Sequence, residues 1–526
     1  MPERMRLNES NRKWWTLAAM CFALFMIMLD NTVVNVALPS IQEDLGASLS
    51  ALEWTINAYT LTFAVLLVTG GRLGDIFGRR RMFLFGVVVF AISSATIGLA
   101  PSQGWLVASR ALQGVGAAFM MPGTLSIISN TFPPHERGRA IGTWAGVSAL
   151  ALALGPVVGG ALAEHVSWRA IFFLNLPVAA GAVVVTLFAA RESYDRTVDR
   201  AVDYAGIATL STGLTALILA LVEGNQWGWG SPEILALFAV AVAGLVAFAL
   251  VEHRGRAPMV QFDYFRSRSF VGANSVAFVL SFAMLAMFFF MALYMQNILG
   301  YSPLEAGVRF LPTTLVIMVT APIAGRLADR IGPRPLMTVG LAAVAGALFW
   351  QSRVDVDTTY ADLLASFSLM GLGIALTMSP MSTAAMNSVS ADKAGAASGI
   401  LSMFRMVGGT FGVAAIGALF QSLARGRVED AAAAARLPAG ARDELVENLG
   451  SGQVNDMLGR MDPQAAHDLA IAMKSAFVHA LSGALTLSAA VAALGSVLAF
   501  TLVEPKLRRR PGTAAQAEAV EPVAAQ

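Results

Sequence analysis

Apolar blocks of about 20 residues recur along this chain, and their length restricts the fold more than any other feature. They lie at 14–38, 52–71, 82–100, 105–129, 140–163, 168–190, 203–222, 233–251, 269–294, 304–325, 336–350, 361–387, 396–420 and 475–502. A helix of that length crosses roughly 30 Å of hydrocarbon. Lipid offers no hydrogen-bond partners to the backbone, so each block must satisfy its own polar groups, and a helix does this. A barrel would need shorter segments of alternating polarity. Composition agrees: 56% of residues are hydrophobic and 13% charged, more apolar surface than a soluble core can hide. The chain is read as an all-α polytopic protein of the lipid bilayer.

Charge fixes the expected orientation. Basic residues gather in alternate connections: Arg4, Arg6, Arg12 and Lys13; Arg72, Arg79, Arg80 and Arg81; Arg137 and Arg139; Arg191, Arg196 and Arg200. The series continues with Arg254, Arg256, Arg266 and Arg268; Arg326, Arg330 and Arg334; Lys393; then Lys506, Arg508, Arg509 and Arg510. Under the positive-inside rule these connections face the cytoplasm, and an even number of spans places both termini there. Arg353 is the exception among the short outer connections. The first block, preceded by Arg12 and Lys13, is too long for a signal peptide and reads as a retained span. Trp14, Trp15, Trp105 and Trp168 suit an aromatic belt at the membrane surface. A net charge of +2, with arginines spread between blocks, gives no nucleic-acid surface. The arginine- and alanine-rich composition fits a bacterial cell membrane protein from a GC-rich genome. Cys21 has no second cysteine to pair with and reads as a small buried apolar side chain.

The chain repeats itself. Gly71-Arg72-Leu73-Gly74-Asp75-Ile76-Phe77-Gly78-Arg79-Arg80 is echoed 254 residues later by Gly325-Arg326-Leu327-Ala328-Asp329-Arg330-Ile331-Gly332-Pro333-Arg334. Gly114-Val115-Gly116 has a counterpart in Gly371-Leu372-Gly373. The repeat divides the chain into a cytoplasmic N-terminus (1–13), a six-helix bundle (14–190), a linker region with two additional helices (191–268), a second six-helix bundle (269–502) and a cytoplasmic tail (503–526). The polar stretch 421–474, broken by Pro438 and Gly440, reads as a long, partly helical outer loop. Two similar halves suit a transporter that rocks about a central site. The repeated segments are expected to be loops in which glycine permits tight turns. Gly71, Arg72, Gly74, Asp75, Gly78, Arg79 and Arg80, with Arg326 and Asp329, are candidates for a cytoplasmic gate; the alternative is a topology anchor.

Ionisable groups inside apolar blocks are costly and point to function. Asp30 lies inside the first block, with Asn31 and Asn35 sharing a face one turn apart. It is a candidate proton-coupling group, or a structural partner of a helix end or an arginine. Arg110 and Gln113 in the fourth block suggest a polar pocket, an Asp30 pair or a snorkelling surface arginine. Arg405 in the thirteenth block is a candidate for contact with substrate, water or a carbonyl. Glu223 reads as interfacial, and Glu53 as an outer anchor or proton-exchange group. The fifth block carries Gly142, Gly146, Gly155, Pro156, Gly159 and Gly160. Small residues one turn apart let helices approach closely, and proline bends a helix, so this block is a candidate seam between the bundles.

At these residues the chain resembles the major facilitator superfamily, in particular its fourteen-span drug:proton antiporters of the EmrB/QacA-like group. The resemblance rests on Leu29-Asp30-Asn31-Thr32-Val33-Val34-Asn35-Val36-Ala37-Leu38-Pro39, on Gly71 through Arg80, and on Arg110 through Ala118. It also rests on Gly146, on Gly155-Pro156-Val157-Val158-Gly159-Gly160, and on Trp168-Arg169, Phe172, Asn175 and Pro177. It implies the two-bundle fold and efflux of small lipophilic compounds against inward proton flow, with no cofactor. It also implies coupling roles for Asp30 and Arg110, a gate at Gly71, Asp75 and Arg79, and an antiporter helix at Gly155, Pro156 and Gly159. No P-loop, metal cluster or nucleophile constellation is present. A monomer is the expected working unit. Proton-coupled uptake of a metabolite, a non-transporting sensor or scaffold, and a membrane enzyme are the competing readings.

Overall fold

The computed structural model describes residues 9–46, 49–195, 201–255, 258–434 and 463–505. Among these are 14 helical spans long and apolar enough to cross a membrane, and no strand. The first six are α1 (Glu9–Leu45), α2 (Leu49–Phe77), α3 (Arg79–Gly98), α4 (Gln103–Thr131), α5 (Arg137–His165), and a sixth made of α6 (Trp168–Phe173) and α7 (Asn175–Ala189). The intervening pair is α8 (Tyr204–Trp227) and α9 (Pro232–Arg254). The last six are α10 (Arg268–Asn297), α11 (Pro303–Arg309) continued by α12 (Leu311–Ile331), α13 (Pro333–Gln351), α14 (Tyr360–Asn387), α15 (Ala394–Ala434) and α16 (Pro463–Leu502).

Two spans read as single helices are broken. Proline has no N–H, so Pro177 and Pro312 leave the carbonyls of Phe173 and Val308 without their helical donors, and the chain jogs at Leu174 and Phe310. The repeated GRL segments are not loops. Gly71 to Phe77 are the last turns of α2, and Gly325 to Ile331 those of α12. The chain turns only at Gly78 (φ 110°) and Gly332 (φ 90°), in the region where a β-carbon is strained. The drop in hydropathy at Arg72 marks where the helix leaves the apolar layer; the backbone continues helical because its hydrogen bonds lie within the segment. Likewise α15 runs on to Ala434, so the start of the expected outer loop is helix; residues 435–462 lie outside the described residues, as do the ends 1–8 and 506–526.

Helix crossings follow the repeat. Gly116 packs on Gly86 where α4 meets α3, and Gly373 packs on Gly340 where α14 meets α13. A threonine closes each neighbouring crossing: Thr62 Oγ1 donates to the Ala111 carbonyl (2.8 Å) beside Gly114, and Thr313 Oγ1 to that of Phe367 (2.9 Å) beside Gly371. Helix α9 packs mainly on α8, backbone to backbone at Gly213 and Gly244. Its other faces leave Leu235, Val242, Val246 and Leu250 exposed, as a lipid-facing helix does. Trp15 and Trp105 are half exposed, as an aromatic belt requires. Trp168 is not part of that belt: it is 3% exposed and occupied by a polar partner described below.

Candidate gate and coupling site

Asp30, in the middle of α1, is 2% exposed, and side chains of α4 and α7 converge on it. Arg110 of α4 reaches it at 2.6 Å, the Gln113 amide nitrogen donates at 3.0 Å, and Asn175, the first residue of α7, donates at 3.3 Å. Arg110 also donates to Gln113 Oε1 (2.7 Å) and to the Thr55 carbonyl of α2 (3.0 Å), and lies 4.3 Å from the Tyr59 ring centre. Asn175 donates in turn to Ser94 Oγ of α3 at 2.9 Å. Arg110 is 1% exposed, so it does not snorkel. Two buried opposite charges held by hydrogen bonds from Gln113 and Asn175 and to the Thr55 carbonyl can persist in an apolar surround; removing either leaves the other at a cost of roughly 3–5 kcal/mol. Asn31 is half-buried and donates to the Ile27 carbonyl at 2.9 Å, and the Asn35 side chain lies outside the described residues. Asn175 and Ser94 were not singled out as partners. Asn175 stood in the Trp-Arg pattern, but an uncharged residue at a helix start gives no sign of what it meets.

The face that carries the arginine-rich turns, here the basic face, is held shut by contacts between the two sets of six helices. Asp75, fully buried at the end of α2, accepts from the backbone N–H groups of Gly395 (2.9 Å) and Ala396 (2.7 Å), the first turn of α15. It thus caps a helix of the other half, where the helix dipole favours an anion. Asp329 does the reciprocal thing at the end of α12, accepting from Gly138 (3.1 Å) and Arg139 (3.3 Å), the first turn of α5. The glycines beside them make this approach possible. A β-carbon on Gly71 would stand 2.3 Å from the Gly395 carbonyl oxygen, and one on Gly325 would stand 1.9 Å from that of Gly138. Arg79 pairs with Asp75 at 2.5 Å and donates to the Asp392 carbonyl at 2.6 Å. Arg137 to Asn387 (2.9 Å), Asn130 to the Ala391 carbonyl (3.2 Å) and Ser379 Oγ to the Gly138 carbonyl (3.4 Å) are further cross-links.

The halves differ in what covers these ends. Residues after the sixth span lie along the first turn: Arg79 N–H donates to the Ser193 carbonyl (2.9 Å), Asp195 N–H to that of Asp75 (2.8 Å), and Arg80 N–H to the Glu192 carboxylate (3.0 Å) that sits beneath Gly78. The Arg80 side chain donates to the Ala190 carbonyl (3.2 Å). The segment leaving α9 is held by Glu252, which accepts from Met259 and Val260 N–H at 3.1 Å each; it places Gln261 on Lys393, and Tyr264 beneath the same ammonium. Burial and the nearby Asp75 carboxylate push the Tyr264 phenol up. Arg72 is buried under this cover, whereas Arg326, its counterpart, is exposed. Gly74 has only ordinary contact with Arg79, so it is not a close-approach position.

Helix α5 divides its glycines between two partners. Gly142 and Gly146 face Ala321 and Met318 of α12, in the other half, while Gly155 and Gly159 face Thr32 and Val33 of α1. The seam between halves therefore uses the end of α5 nearest the basic face. Gly160 is half-buried, and the Pro156 side chain lies outside the described residues. Arg405, in the first third of α15, is half-buried and makes no hydrogen bond or ion pair among the described residues.

On the opposite face, Asp44 beyond the end of the first span accepts from Arg169 (2.5 Å) and from Trp168 Nε1 (3.1 Å), and Arg169 also donates to the Ala100 carbonyl (3.1 Å). Arg169 and then Trp168 hold the Asp44 carboxyl below the usual carboxylate range. A carboxyl lowered on folding stabilises above its unfolded pKa and stops doing so as pH falls through the lowered value, so this clamp stays intact at neutral pH. The reading of the sequence missed Asp44, which sits among ordinary surface polar residues.

Among the described residues no group of three His, Cys, Asp or Glu side chains is placed to hold a metal. The family model described as Major Facilitator Superfamily matches residues 20–413. The tetracenomycin C resistance and export protein of Streptomyces glaucescens is 35% identical over 93% of this chain and 91% of its own. The puromycin resistance protein of Streptomyces alboniger is 40% identical over 77% of this chain and 81% of its own. In fold, the chain is similar to the human organic anion transporter MFSD10 (TETRAN), at a TM-score of 0.58 and 14% identity, covering 93% of this chain and 99% of that one. A membrane of fourteen helices, a twofold repeat that caps itself across its own halves, and these likenesses lead to one assignment: the chain belongs to the major facilitator superfamily, a family of transporters and not of enzymes.

Proposed function

We propose that this secondary transporter is a proton-driven exporter of small lipophilic compounds, drugs or antibiotics among them, working by alternating access between two six-helix lobes. The basic face is the cytoplasmic one, with both termini on it. The observation that carries the reading is the reciprocal capping of α15 by Asp75 and of α5 by Asp329. Contacts that join the lobes at one face, and involve buried charge, must break when that face opens; they make the closed arrangement a distinct state rather than one point on a continuum. The relatives named for resistance and export support the outward direction. The Asp30–Arg110 pair supplies a buried carboxylate whose charge balance a proton would alter.

The test uses purified protein in liposomes with an imposed pH gradient and a panel that includes puromycin, tetracenomycin C and ethidium. Compound accumulating opposite to the proton flux is the expected result. Movement in the same direction would make the protein an uptake symporter, and no flux with any compound would favour a sensor.

Arg405 bears on substrate charge. A guanidinium within the bilayer's thickness and without a partner among the described residues is suited to an electronegative group on the cargo. A neutral or anionic aromatic compound with acceptor oxygens fits it better than a cation. The Arg405→Ala variant is expected to bind such compounds roughly tenfold more weakly, the scale of one charged hydrogen bond, and to leave ethidium binding unchanged or tighter. Equal losses for both would place Arg405 in the fold rather than in recognition.

A further inference from the structure

Helix α2 carries more than the Arg110 contact. Thr55 and Tyr59 on one face meet Arg110. Trp54, Asn57, Thr60 and Leu61 on another meet α8 across a small cleft. Glu223 enters that cleft from α8, one turn before the helix ends, and is 6% exposed. Among the described residues its carboxylate has no hydrogen bond and no counter-ion, and the charge acting on it is that of Glu53, of the same sign. Glu53 is exposed and accepts from Gln226 of α8 at 3.0 Å. Among the described residues the other helices packed on α8 place no cation beside Glu223: α9 starts with Glu233, which is exposed, and Arg425 of α15, also exposed, lies about two turns beyond Gly417, the residue that Asn225 meets.

The Glu223 side chain is 6% exposed with its carboxylate open to the cleft; a carboxylate so placed beside a second one, with no cation among the described residues, is suited to hold a proton. The free volume of the cleft is about 10 Å³, room for about one water and far too small for a drug. We propose that Glu223, with Glu53 at its rim, is a proton-binding site on the outer side, at the junction of the first added helix and span two. The proposal deepens the antiport reading and rests on it for its purpose. In the closed arrangement Arg110 already balances Asp30, so a proton arriving from outside needs another acceptor. Helix α2 runs unbroken from this cleft past Arg110 to Asp75. A change in how α8 holds its outer end is thereby mechanically connected to the gate at its inner end. It also gives the added helix pair, which the two-lobe mechanism does not require, a task of its own.

The site can be read without substrate or gradient. Acid-minus-alkaline infrared difference spectra of the full chain in liposomes report protonated carboxyl groups. The Glu223 carboxyl is expected to contribute one band to the wild-type spectrum beside those of the chain's other acids, to persist in Asp30→Asn, and to be lost in Glu223→Gln. An unchanged spectrum in Glu223→Gln overturns the proposal. Should that variant fail to fold, Glu53→Gln alters an exposed residue and must move the pH at which the same carboxyl titrates; an unmoved titration overturns it equally. Displacement of the signal by sodium at fixed pH would make this a metal-cation site and also overturn it. Because no drug is present, failure of antiport in the liposome assay leaves this measurement standing, and the reverse holds too.

Discussion

Asp30→Asn is expected to remove gradient-driven transport, by at least about tenfold, while the protein still inserts and folds. Asparagine keeps the shape of the side chain and one acceptor oxygen, so a bond from Arg110 (2.6 Å in the wild type) survives. What disappears is the charge. Arg110, 1% exposed, then sits in the bilayer's thickness without its counter-ion, a state costing roughly 3–5 kcal/mol if nothing relaxes. Two explanations of a transport defect must be separated: loss of coupling, and a strained lobe that no longer moves. The Asp30→Asn, Arg110→Gln double variant does this, since it restores neutrality. If the pair is only structural, the double variant recovers transport. If the carboxylate takes part in proton traffic, the double variant remains stable but uncoupled, and substrate equilibrates across the liposome regardless of the pH gradient. Wild-type coupled flux in Asp30→Asn would remove Asp30 from the coupling path altogether.

How legible all this was in the sequence depends on the kind of signal. Hydropathy gave the spans because a membrane enforces length on every crossing. It could not show the jogs at Leu174 and Phe310, although Pro177 and Pro312 stood in view, because proline within a span is tolerated either way. Asp30, Arg110 and Gln113 stood out because polar groups in apolar runs demand partners. The partners Asn175 and Ser94 did not, since the bonds join residues 145 and 81 positions apart with no local pattern. The repeat exposed Asp75 and Asp329 as equivalents, but not that each caps a helix of the other half. Least visible was the cover over the first turn. It is built largely from backbone groups of Ser193, Met259 and Val260, and any residue can supply those. That cover also accounts for the unequal burial of Arg72 and Arg326, which their shared motif gave no reason to expect.

The same chemical change at two glycines of the repeat should have opposite consequences. Gly325→Ala is expected to hold the basic face open and reduce transport at least about tenfold, while Gly74→Ala stays close to wild type. A β-carbon on Gly325 would meet the Gly138 carbonyl oxygen at 1.9 Å and its carbon at 2.6 Å. Both are backbone atoms at the start of α5, so no rotamer change relieves the contact and the lobes must separate. Overpacking of this kind costs about 1–3 kcal/mol. In an equilibrium between two arrangements about 2.8 kcal/mol amounts to a hundredfold change in population, and only the closed arrangement contains the clash. Gly74 lies in the same motif, but a β-carbon there is 3.9 Å from Arg79, an ordinary contact, and alanine slightly favours the helix. Thiol labelling provides the readout. With Cys21 replaced by Ala, the sole thiol is a reporter at Asn387→Cys, where Arg137 now bridges the halves. Labelling from the basic face should rise in Gly325→Ala and not in Gly74→Ala. Equal labelling in the two would mean that the lobes do not close on the Gly138–Gly325 contact, and the alternating-access account of this gate would fail with it.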